Sequence, residues 1–244
     1  MPNPRDYQED LAYIHHAGFT QFITNACPGL LQILKSARIE KGLLVDLACG
    51  SGIWACAAQR AGFDVLGIDA SPAMIRLARG IAPRAQFRRG SLYHAKLPRC
   101  CAITCIGEGF TYFNPAKPNP TLFQLFRRLA AALAPGGILI FDLIVTGTPS
   151  LEKRTWYAGY DWAIFFDTRE VPSSRLLLRD MTTFRKVGAG YRRGHEAHHV
   201  RVFRPAEVTR ALRHAGFTFR TVRKFGKMKL YPRRLAFICK KAVT

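Results

Sequence analysis

The spacing of hydrophobic residues divides the chain into three stretches. In the first 40 residues apolar side chains recur at helical spacing, as at Leu11, Ile14 and Phe22, and Pro28 predicts the start of a further helix that ends before Gly42. From residue 43 to 147, short apolar runs alternate with segments of helical spacing and are separated by glycine-rich turns. This rhythm predicts a parallel sheet covered by helices on both faces.

After residue 147 the apolar residues alternate singly with polar ones, which is typical of an antiparallel, partly exposed sheet. One more helix, with Pro205 near its start and Gly216 at its end, precedes two closing strands. We therefore expect a single α/β domain whose seven-stranded, mostly parallel sheet carries helices on both faces. Its predicted parts are a helical N-terminal cap (1–41), a core (42–147), an inserted antiparallel β subregion or lid (148–200), and a C-terminal helix and β-hairpin completing the sheet (201–244).

Composition excludes several classes of protein. Hydrophobic residues make up 48% of the 244 residues, so the chain is not globally disordered. The longest apolar stretch, residues 137–145, is interrupted by Asp142 and is far shorter than the ~20 residues that cross a bilayer. The N-terminal residues lack the apolar run of a secretory signal. We expect a cytoplasmic protein without a membrane partner.

Basic residues are concentrated in the second half of the chain. The formal net charge is +21, and residues 123–244 hold 24 basic and 8 acidic side chains. Such an asymmetry indicates either contact with RNA or another anion, or a solvated basic face. The charge alone does not decide between them.

The cysteines and histidines do not have the spacing of metal ligands. The seven cysteines are scattered, and the one cluster, Cys100, Cys101 and Cys105, is not spaced as C-x-x-C. Successive residues of a strand point to opposite faces, so at most one of His198 and His199 faces a common site. We predict neither a disulfide framework nor a metal site.

A glycine-rich turn between residues 45 and 52 is the strongest chemical signal. An apolar strand leads into Gly50 and Gly52 and then into a helix, a geometry that lets backbone N–H groups approach a ligand closely. Asp69 ends the next strand, where a carboxylate is placed to hold the hydroxyls of a ribose. With Ala55, the turn also satisfies the dinucleotide pattern G-x-G-x-x-G/A, which leaves an NAD(P)-dependent oxidoreductase as an alternative. Asp46 favours a cationic ligand, because its charge would repel a pyrophosphate.

Five ordered motifs resemble the class I S-adenosylmethionine-dependent methyltransferases, which have a Rossmann-like fold. They are VDLACGSG at 45–52, VLGIDASPAMIRLAR at 65–79, FRRGSLYHAKLP at 87–98, AITCIGEGFTYF at 102–113 and LAPGGILIFDL at 133–143, with RPAEVTRALRHAGF at 204–217 also corresponding. The resemblance implies a methyltransferase with S-adenosyl-L-methionine as its cofactor. Two positions depart from the family pattern: Ser91 stands where many members have Asp, and Cys101 replaces the acid that often begins the fourth strand.

The resemblance also implies individual roles. Asp46 would face the amino or sulfonium end of the cofactor, and Asp69 would hold the ribose. The other implied cofactor residues shape the loop, line the adenine or lie near the methyl group: Ala48, Gly50, Gly52, Ala70, Met74, Gly90, Ser91, Leu92, Ile106 and Gly107.

The methyl acceptor is less well defined by the sequence. Glu108 directly follows the fourth strand and is the candidate catalytic residue, either orienting or deprotonating the acceptor. Aromatic side chains that could form the pocket wall are Tyr13, Phe19, Phe110, Tyr112 and Trp156. We expect a small-molecule acceptor, possibly anionic, because the motif of amino-directed nucleic-acid methyltransferases is absent after the fourth strand. The alternative is an RNA-directed enzyme, in which a set of basic residues would line the mouth of the cleft: Arg220, Arg223, Lys224, Lys227 and Lys229.

Overall fold

A computed structural model describes residues 7–113, 115 and 119–242. The helices of this part are α1 (Glu9–Phe19), α2 (Gln21–Ser36), α3 (Ile53–Arg60), α4 (Pro72–Ile81), α5 (Leu122–Ala132) and α6 (Pro205–His214). Its strands are β1 (Gly42–Leu47), β2 (Phe63–Asp69), β3 (Gln86–Arg89), β4 (Cys100–Cys105), β5 (Leu133–Ile144), β6 (Lys153–Ala158), β7 (Trp162–Val171), β8 (Leu176–Val187), β9 (Gly190–Arg201), β10 (Phe217–Val222), β11 (Lys224–Phe225), β12 (Met228–Lys229) and β13 (Arg234–Lys241).

The main sheet has seven strands in the order β10-β13-β5-β4-β1-β2-β3. Strands β1 to β5 are parallel, and β13 runs antiparallel to both of its neighbours. The predicted fold class is confirmed. The chain builds outward from β1 to β3 and then restarts at β4 on the other side of β1. In parallel sheets this reversal opens a crevice beyond the carboxyl ends of the strands, here those of β1 and β4.

One helix boundary differs from the sequence prediction. Pro28 does not start a helix but lies inside α2, whose buried face includes Ala26, Leu30 and Leu34. Burial of that face outweighs the one backbone hydrogen bond that a proline removes from a helix interior. Helix α5 begins after Thr121, whose side chain accepts a hydrogen bond from the backbone N–H of Gln124 and caps the helix.

A second, four-stranded antiparallel sheet is formed by β6, β7, β8 and β9, as the alternating pattern predicts. Its inner face packs on α1, where Leu11 and Ile14 contact Trp162, Ile164 and Met181. Because α1 also contacts α4, the helix lies between the second sheet and the main sheet. It is therefore positioned to cover the crevice.

No helix of the described residues has the length and apolar content needed to span a membrane. The expected cytoplasmic location stays a prediction.

Candidate functional site

Asp46 lies near the carboxyl end of β1 and is 3% exposed. Its Oδ1 accepts a hydrogen bond of 2.8 Å from the Thr104 hydroxyl on β4, and that hydroxyl accepts one of 3.0 Å from the Trp54 indole N–H. Burial raises the pKa of Asp46 to about 7, although the Thr104 hydrogen bond acts in the opposite direction. A buried carboxylate with one hydrogen-bond donor is suited to a cationic partner that would keep it ionised.

Asp69 ends β2 and holds the glycine-rich turn in place. Its two carboxylate oxygens accept hydrogen bonds of 2.9 Å each, Oδ2 from the Gly50 N–H and Oδ1 from the Ser71 N–H. Burial raises the pKa of Asp69, while these backbone donors lower it. Each carboxylate oxygen accepts two hydrogen bonds, so capacity is left for two ligand hydroxyls.

The turn between β1 and α3 adopts a conformation that favours glycine. Gly50 has φ +52° and a Cβ there would meet no atom within 4 Å, so its backbone borders open space. Gly52 has φ +82° and a Cβ there would lie 3.0 Å from Ala78 on α4, so this glycine permits close helix packing. Ala48 also has a positive φ, of 54°.

The other residues implied for the adenine side surround the ends of β2 and β3. The Gly90 N–H donates to the Asp69 carbonyl at 2.8 Å, and the Ser91 hydroxyl accepts from the Tyr93 N–H at 3.2 Å. Leu92 is buried. Met74 is buried in a cluster with Ala12 and Ala73, between α4 and α1. Ala70 lies next to Asp69 in the turn before α4.

Glu108 is buried and forms ion pairs with two arginine side chains. It is 3% exposed and its carboxylate pairs with Arg179 from β8 at 2.5 Å and with Arg234 from β13 at 2.9 Å. Burial alone would raise the pKa of Glu108, but the two arginines outweigh it and lower that pKa to about 2. Asp142, on β5, accepts from the N–H groups of Gly107 and Glu108 and lies 3.6 Å from Arg234. Two buried carboxylates are thus matched by two guanidinium groups.

A layer of hydroxyl and imidazole groups lies beside this ion network. The Tyr112 hydroxyl is 3.1 Å from Arg179 Nη1 and 3.2 Å from the Tyr7 hydroxyl. The His15 ring packs edge-on against Tyr7 at 5.2 Å, and its buried Nδ1 has no hydrogen-bond partner among the described residues. Burial, with the nearby His16, lowers the pKa of His15 to about 4, so this imidazole is neutral at pH 7.

The N-terminal residues that bring Tyr7 and His15 here are held on both sides. Glu196 on β9 accepts the backbone N–H groups of Tyr7 and Gln8 at 2.6 and 2.9 Å, and it also contacts His198 at 3.0 Å. On the opposite side, the Ser71 hydroxyl donates to the Tyr7 carbonyl at 2.6 Å. His16, one residue along α1, contacts the Ser51 hydroxyl in the glycine-rich turn at 3.0 Å. The cluster is therefore enclosed by the main sheet, α1 and the second sheet.

Sequence reasoning found some of these groups and missed others. Glu108 and Tyr112 come together as candidates, whereas Tyr7, Arg179 and Arg234 were not expected. The missed residues share one feature: each comes from an element distant in sequence from β4. A basic residue on the apolar face of a strand was the available signal, as at Arg179, which shares its face with the buried Leu177 and Met181.

Of the remaining aromatic candidates, only Phe19 lies beside the cluster. Phe110 is buried between Phe126 and Phe141 in the main core, and Trp156 is 64% exposed on β6. The Tyr13 hydroxyl donates to Asp161 next to the second sheet. Phe19 packs near His15, with ring centroids 6.2 Å apart. Within the described residues, no three His, Cys, Asp or Glu side chains form a group able to hold a metal ion.

Comparison with known proteins finds a similar domain in the core of the chain. Residues 44–137, from β1 to the start of β5, match the family model of a methyltransferase domain. The resemblance to the class I S-adenosylmethionine-dependent methyltransferases is confirmed for this part of the chain. The match favours methyl transfer over the nicotinamide-dependent oxidation that the glycine pattern also allowed.

Similarity to known proteins also extends beyond the matched residues. The chain is 24% identical over 231 residues to the protein named "Putative methyltransferase YqeM" from Bacillus subtilis (strain 168). The aligned residues cover 88% of this chain and 85% of the relative. A crystal structure of an S-adenosylmethionine-dependent methyltransferase from Clostridium acetobutylicum ATCC 824 is similar with a TM-score of 0.78 at 16% identity, covering 95% of this chain and 97% of the other. The sugar N-methyltransferase KedS8 from Streptoalloteichus sp ATCC 53650 has a TM-score of 0.78 at 17% identity, covering 97% and 95%. These structures share the fold over nearly the whole chain, the second sheet included.

Proposed function

We propose that this methyltransferase transfers the methyl group of S-adenosylmethionine to a small-molecule acceptor. The observation that carries the proposal is the enclosed polar cluster of Tyr7, His15, Glu108, Tyr112 and Arg179 beside the glycine-rich turn. These five side chains come from three separate segments of the chain and form one enclosed site. Such a site suits a small molecule better than a polymer. The similarity to KedS8, named a sugar N-methyltransferase, supports an acceptor with an amino group.

We assign the cofactor to the crevice beyond β1, β2 and β4. Asp69 would hold the ribose and Asp46 the cationic end, with the glycine-rich turn beneath. The residues proposed to complete this site are Ala48, Gly50, Gly52, Ala70, Met74, Gly90, Ser91, Leu92, Ile106 and Gly107. The open space at Gly50 and Gly107, where a Cβ would meet no atom within 4 Å, supports this placement.

The chemistry that the cofactor supplies when bound is an electrophilic methyl group on a sulfonium. The residues of the chain then act by position: holding an acceptor in line and excluding water contributes much of the rate in such a displacement. We assign Glu108 an orienting role through Arg179 and Tyr112, because a carboxylate with a pKa of about 2 is a weak base. His15 is neutral and its Nδ1 has no hydrogen-bond partner among the described residues, so it is placed to accept a hydrogen bond from the acceptor.

A test of methyl transfer uses S-adenosylmethionine labelled on the methyl group. The protein is incubated with a panel of free and phosphorylated amino sugars and, separately, with total bacterial RNA. Phosphorylated sugars are included because the net charge of +21 is compatible with an anionic acceptor. We expect label in the small-molecule fraction and none with the Asp69→Ala variant. Label that appears in RNA alone would contradict the small-molecule assignment.

The pKa of Asp46 gives a test of the cofactor site that needs no acceptor. Since Asp46 has a pKa of about 7 in the free protein, it is mostly protonated at pH 5.5 and half ionised at pH 7. A ligand whose charged amine binds the ionised form should then bind about tenfold more tightly at pH 7 than at pH 5.5. Calorimetric titration with S-adenosylhomocysteine measures this ratio.

The matched variants separate Asp46 from other titrating groups. Asp46→Asn should bind weakly and with little dependence on pH. Asp64→Asn, which changes an exposed carboxylate on the same sheet, should keep the tenfold ratio. Equal pH dependence in the wild type and Asp46→Asn would refute the role proposed for Asp46.

A further inference from the structure

Five basic side chains lie along one margin of the main sheet, and we refer to them as the basic edge. They are Arg220 on the outermost strand β10, Arg223, and the three lysines of the following hairpin, Lys224, Lys227 and Lys229. All five are exposed. Strand β10 and this hairpin contribute none of the residues that we assign to the cofactor or the acceptor.

Within the hairpin, two like charges face each other directly. Lys224 of β11 is paired with Lys229 of β12, an arrangement that destabilises a two-stranded ribbon. The chain compensates such a pair elsewhere: Arg185 and Arg192 are also direct cross-strand partners, and Asp10 forms ion pairs with both. For Lys224 and Lys229, no described carboxylate lies within ion-pair distance. An anion from outside the chain would complete this pair as Asp10 completes the other.

The hairpin is held rigidly, so its lysines are displayed at fixed positions. Phe225 is fully buried and packs in the core on the α2 side of the sheet. Its backbone approaches Gly29 of α2 so closely that a Cβ on Gly29 would lie 2.2 Å from the Phe225 carbonyl carbon. Because antiparallel partners share a face, Lys224 and Lys229 project from the same side of the hairpin. The fixed backbone reduces the main-chain entropy that is lost when these lysines bind an anion.

Protection of an edge strand explains only part of this pattern. Basic residues on an outermost strand prevent pairing with other chains, which accounts for Arg220 on β10. It does not account for three lysines on a separate hairpin of two-residue strands. The hairpin lysines therefore require a second explanation.

We propose that the basic edge binds RNA. A run of exposed cations matches a phosphate backbone, and an aromatic face lies next to it: Tyr231 is 59% exposed and stacks on Phe22 at 5.6 Å. The backbone N–H of Leu230, the residue before Tyr231, donates to the Arg223 carbonyl at 2.9 Å, so ring and cations are neighbours. The hairpin has no exposed large apolar side chain to insert into a lipid bilayer, which favours RNA over a membrane.

The experiment measures fluorescence anisotropy of a labelled single-stranded RNA of about 20 nucleotides with the full-length protein over a range of salt concentrations. The test variant replaces four cations: Arg220→Gln, Lys224→Gln, Lys227→Gln and Lys229→Gln. The matched control removes four exposed cations near the opposite margin, where β3 is the outermost strand: Arg60→Gln, Arg79→Gln, Arg84→Gln and Arg88→Gln. Both variants are first titrated with S-adenosylhomocysteine, and unchanged affinity shows that the fold is intact.

We expect the wild type to bind with a Kd of about 10 µM or below at ~0.1 M salt. The basic-edge variant should bind at least tenfold more weakly, with the slope of log K against log salt reduced by about 2 to 3, while the control changes less than threefold. A smaller variant, Lys224→Gln with Lys229→Gln, should weaken binding several-fold, and Lys224→Arg with Lys229→Arg should restore it. This pair keeps the test valid if the fourfold variant does not fold.

Three results would overturn the proposal. Equal losses in the basic-edge and control variants would show diffuse attraction by the net charge. Absence of RNA binding by the wild type would show that the basic edge is not an RNA-binding surface. Binding to phosphatidylglycerol vesicles, with no binding to RNA, would identify a membrane surface in its place.

Discussion

Replacement of Asp69 by alanine is expected to weaken binding of S-adenosylhomocysteine by more than tenfold. The carboxylate is positioned at the carboxyl end of β2 by hydrogen bonds from the N–H groups of Gly50 and Ser71. Its free lone pairs are the proposed acceptors for the ribose hydroxyls, and hydrogen bonds to a charged acceptor contribute about 1.5–3 kcal/mol each. Loss of two such bonds removes at least a factor of ten.

The variant also disturbs the turn, so a control must separate ligand contacts from folding. Asp64→Ala removes an exposed carboxylate from the same strand and should leave affinity unchanged. Circular dichroism establishes that Asp69→Ala is folded before calorimetry. Unchanged affinity in folded Asp69→Ala would mean that the ribose is not held at the end of β2, and the proposed cofactor site would be wrong.

The sequence predicted the main sheet because its signals are local. Strands β1, β2 and β4 are apolar runs, each followed by a connection and a helix, and such βαβ units have few alternative arrangements. Asp46 and Asp69 are found at strand ends for the same reason: their positions follow from where a strand stops. No contact between distant segments is needed to place them.

Contacts between distant segments could not be predicted in the same way. Arg179 reaches Glu108 across 71 positions of sequence. Its orientation depends on the register of β8 against β7 and β9, and a shift of one residue would turn the side chain to the other face. The positions of Arg234 and Tyr7 likewise depend on how β13 and the segment before α1 pack. The sequence therefore indicated Glu108 without the partners that determine its chemistry.

Pro28 shows the converse error, in which a local signal was outweighed by tertiary packing. A proline usually begins a helix or interrupts one. Here Gly29 follows it and allows the Phe225 backbone to approach, while Leu30 and Leu34 are fully buried. This packing is continuous along α2 and keeps the helix intact through the proline.

Replacement of Glu108 by glutamine is expected to lower the stability of the protein more than any other single change considered. The carboxylate lies between the guanidinium groups of Arg179 and Arg234, whose side chains are 19% and 14% exposed. Glutamine has a similar size but no charge, so one buried cation in excess of the carboxylates would remain. Breaking such a pair costs about 3–5 kcal/mol. For a chain of this length, that corresponds to a decrease in Tm of roughly 10 °C.

The difference in Tm between the wild type and Glu108→Gln should depend on pH, and this dependence distinguishes a lost ion pair from a packing defect. The folded pKa of Glu108, about 2, lies below its usual value of 4.5, so the stabilisation is complete above pH 4.5. It is lost as the pH falls towards 2, because protonated Glu108 resembles glutamine. The gap in Tm between the wild type and Glu108→Gln should therefore narrow over that interval. A gap independent of pH would indicate lost packing.

Two controls decide whether Glu108 orients groups or removes a proton. Glu152→Gln changes an exposed carboxylate and should leave Tm unaltered. Once an acceptor is known, an orienting Glu108 predicts that Arg179→Gln reduces kcat in parallel with Glu108→Gln, because both remove the same support from Tyr112. If Glu108→Gln keeps its Tm but loses turnover, while Arg179→Gln stays active, Glu108 acts as the base. The low pKa imposed by the two arginines favours the orienting role, since a carboxylate already stabilised as an anion has little affinity for the proton of an acceptor.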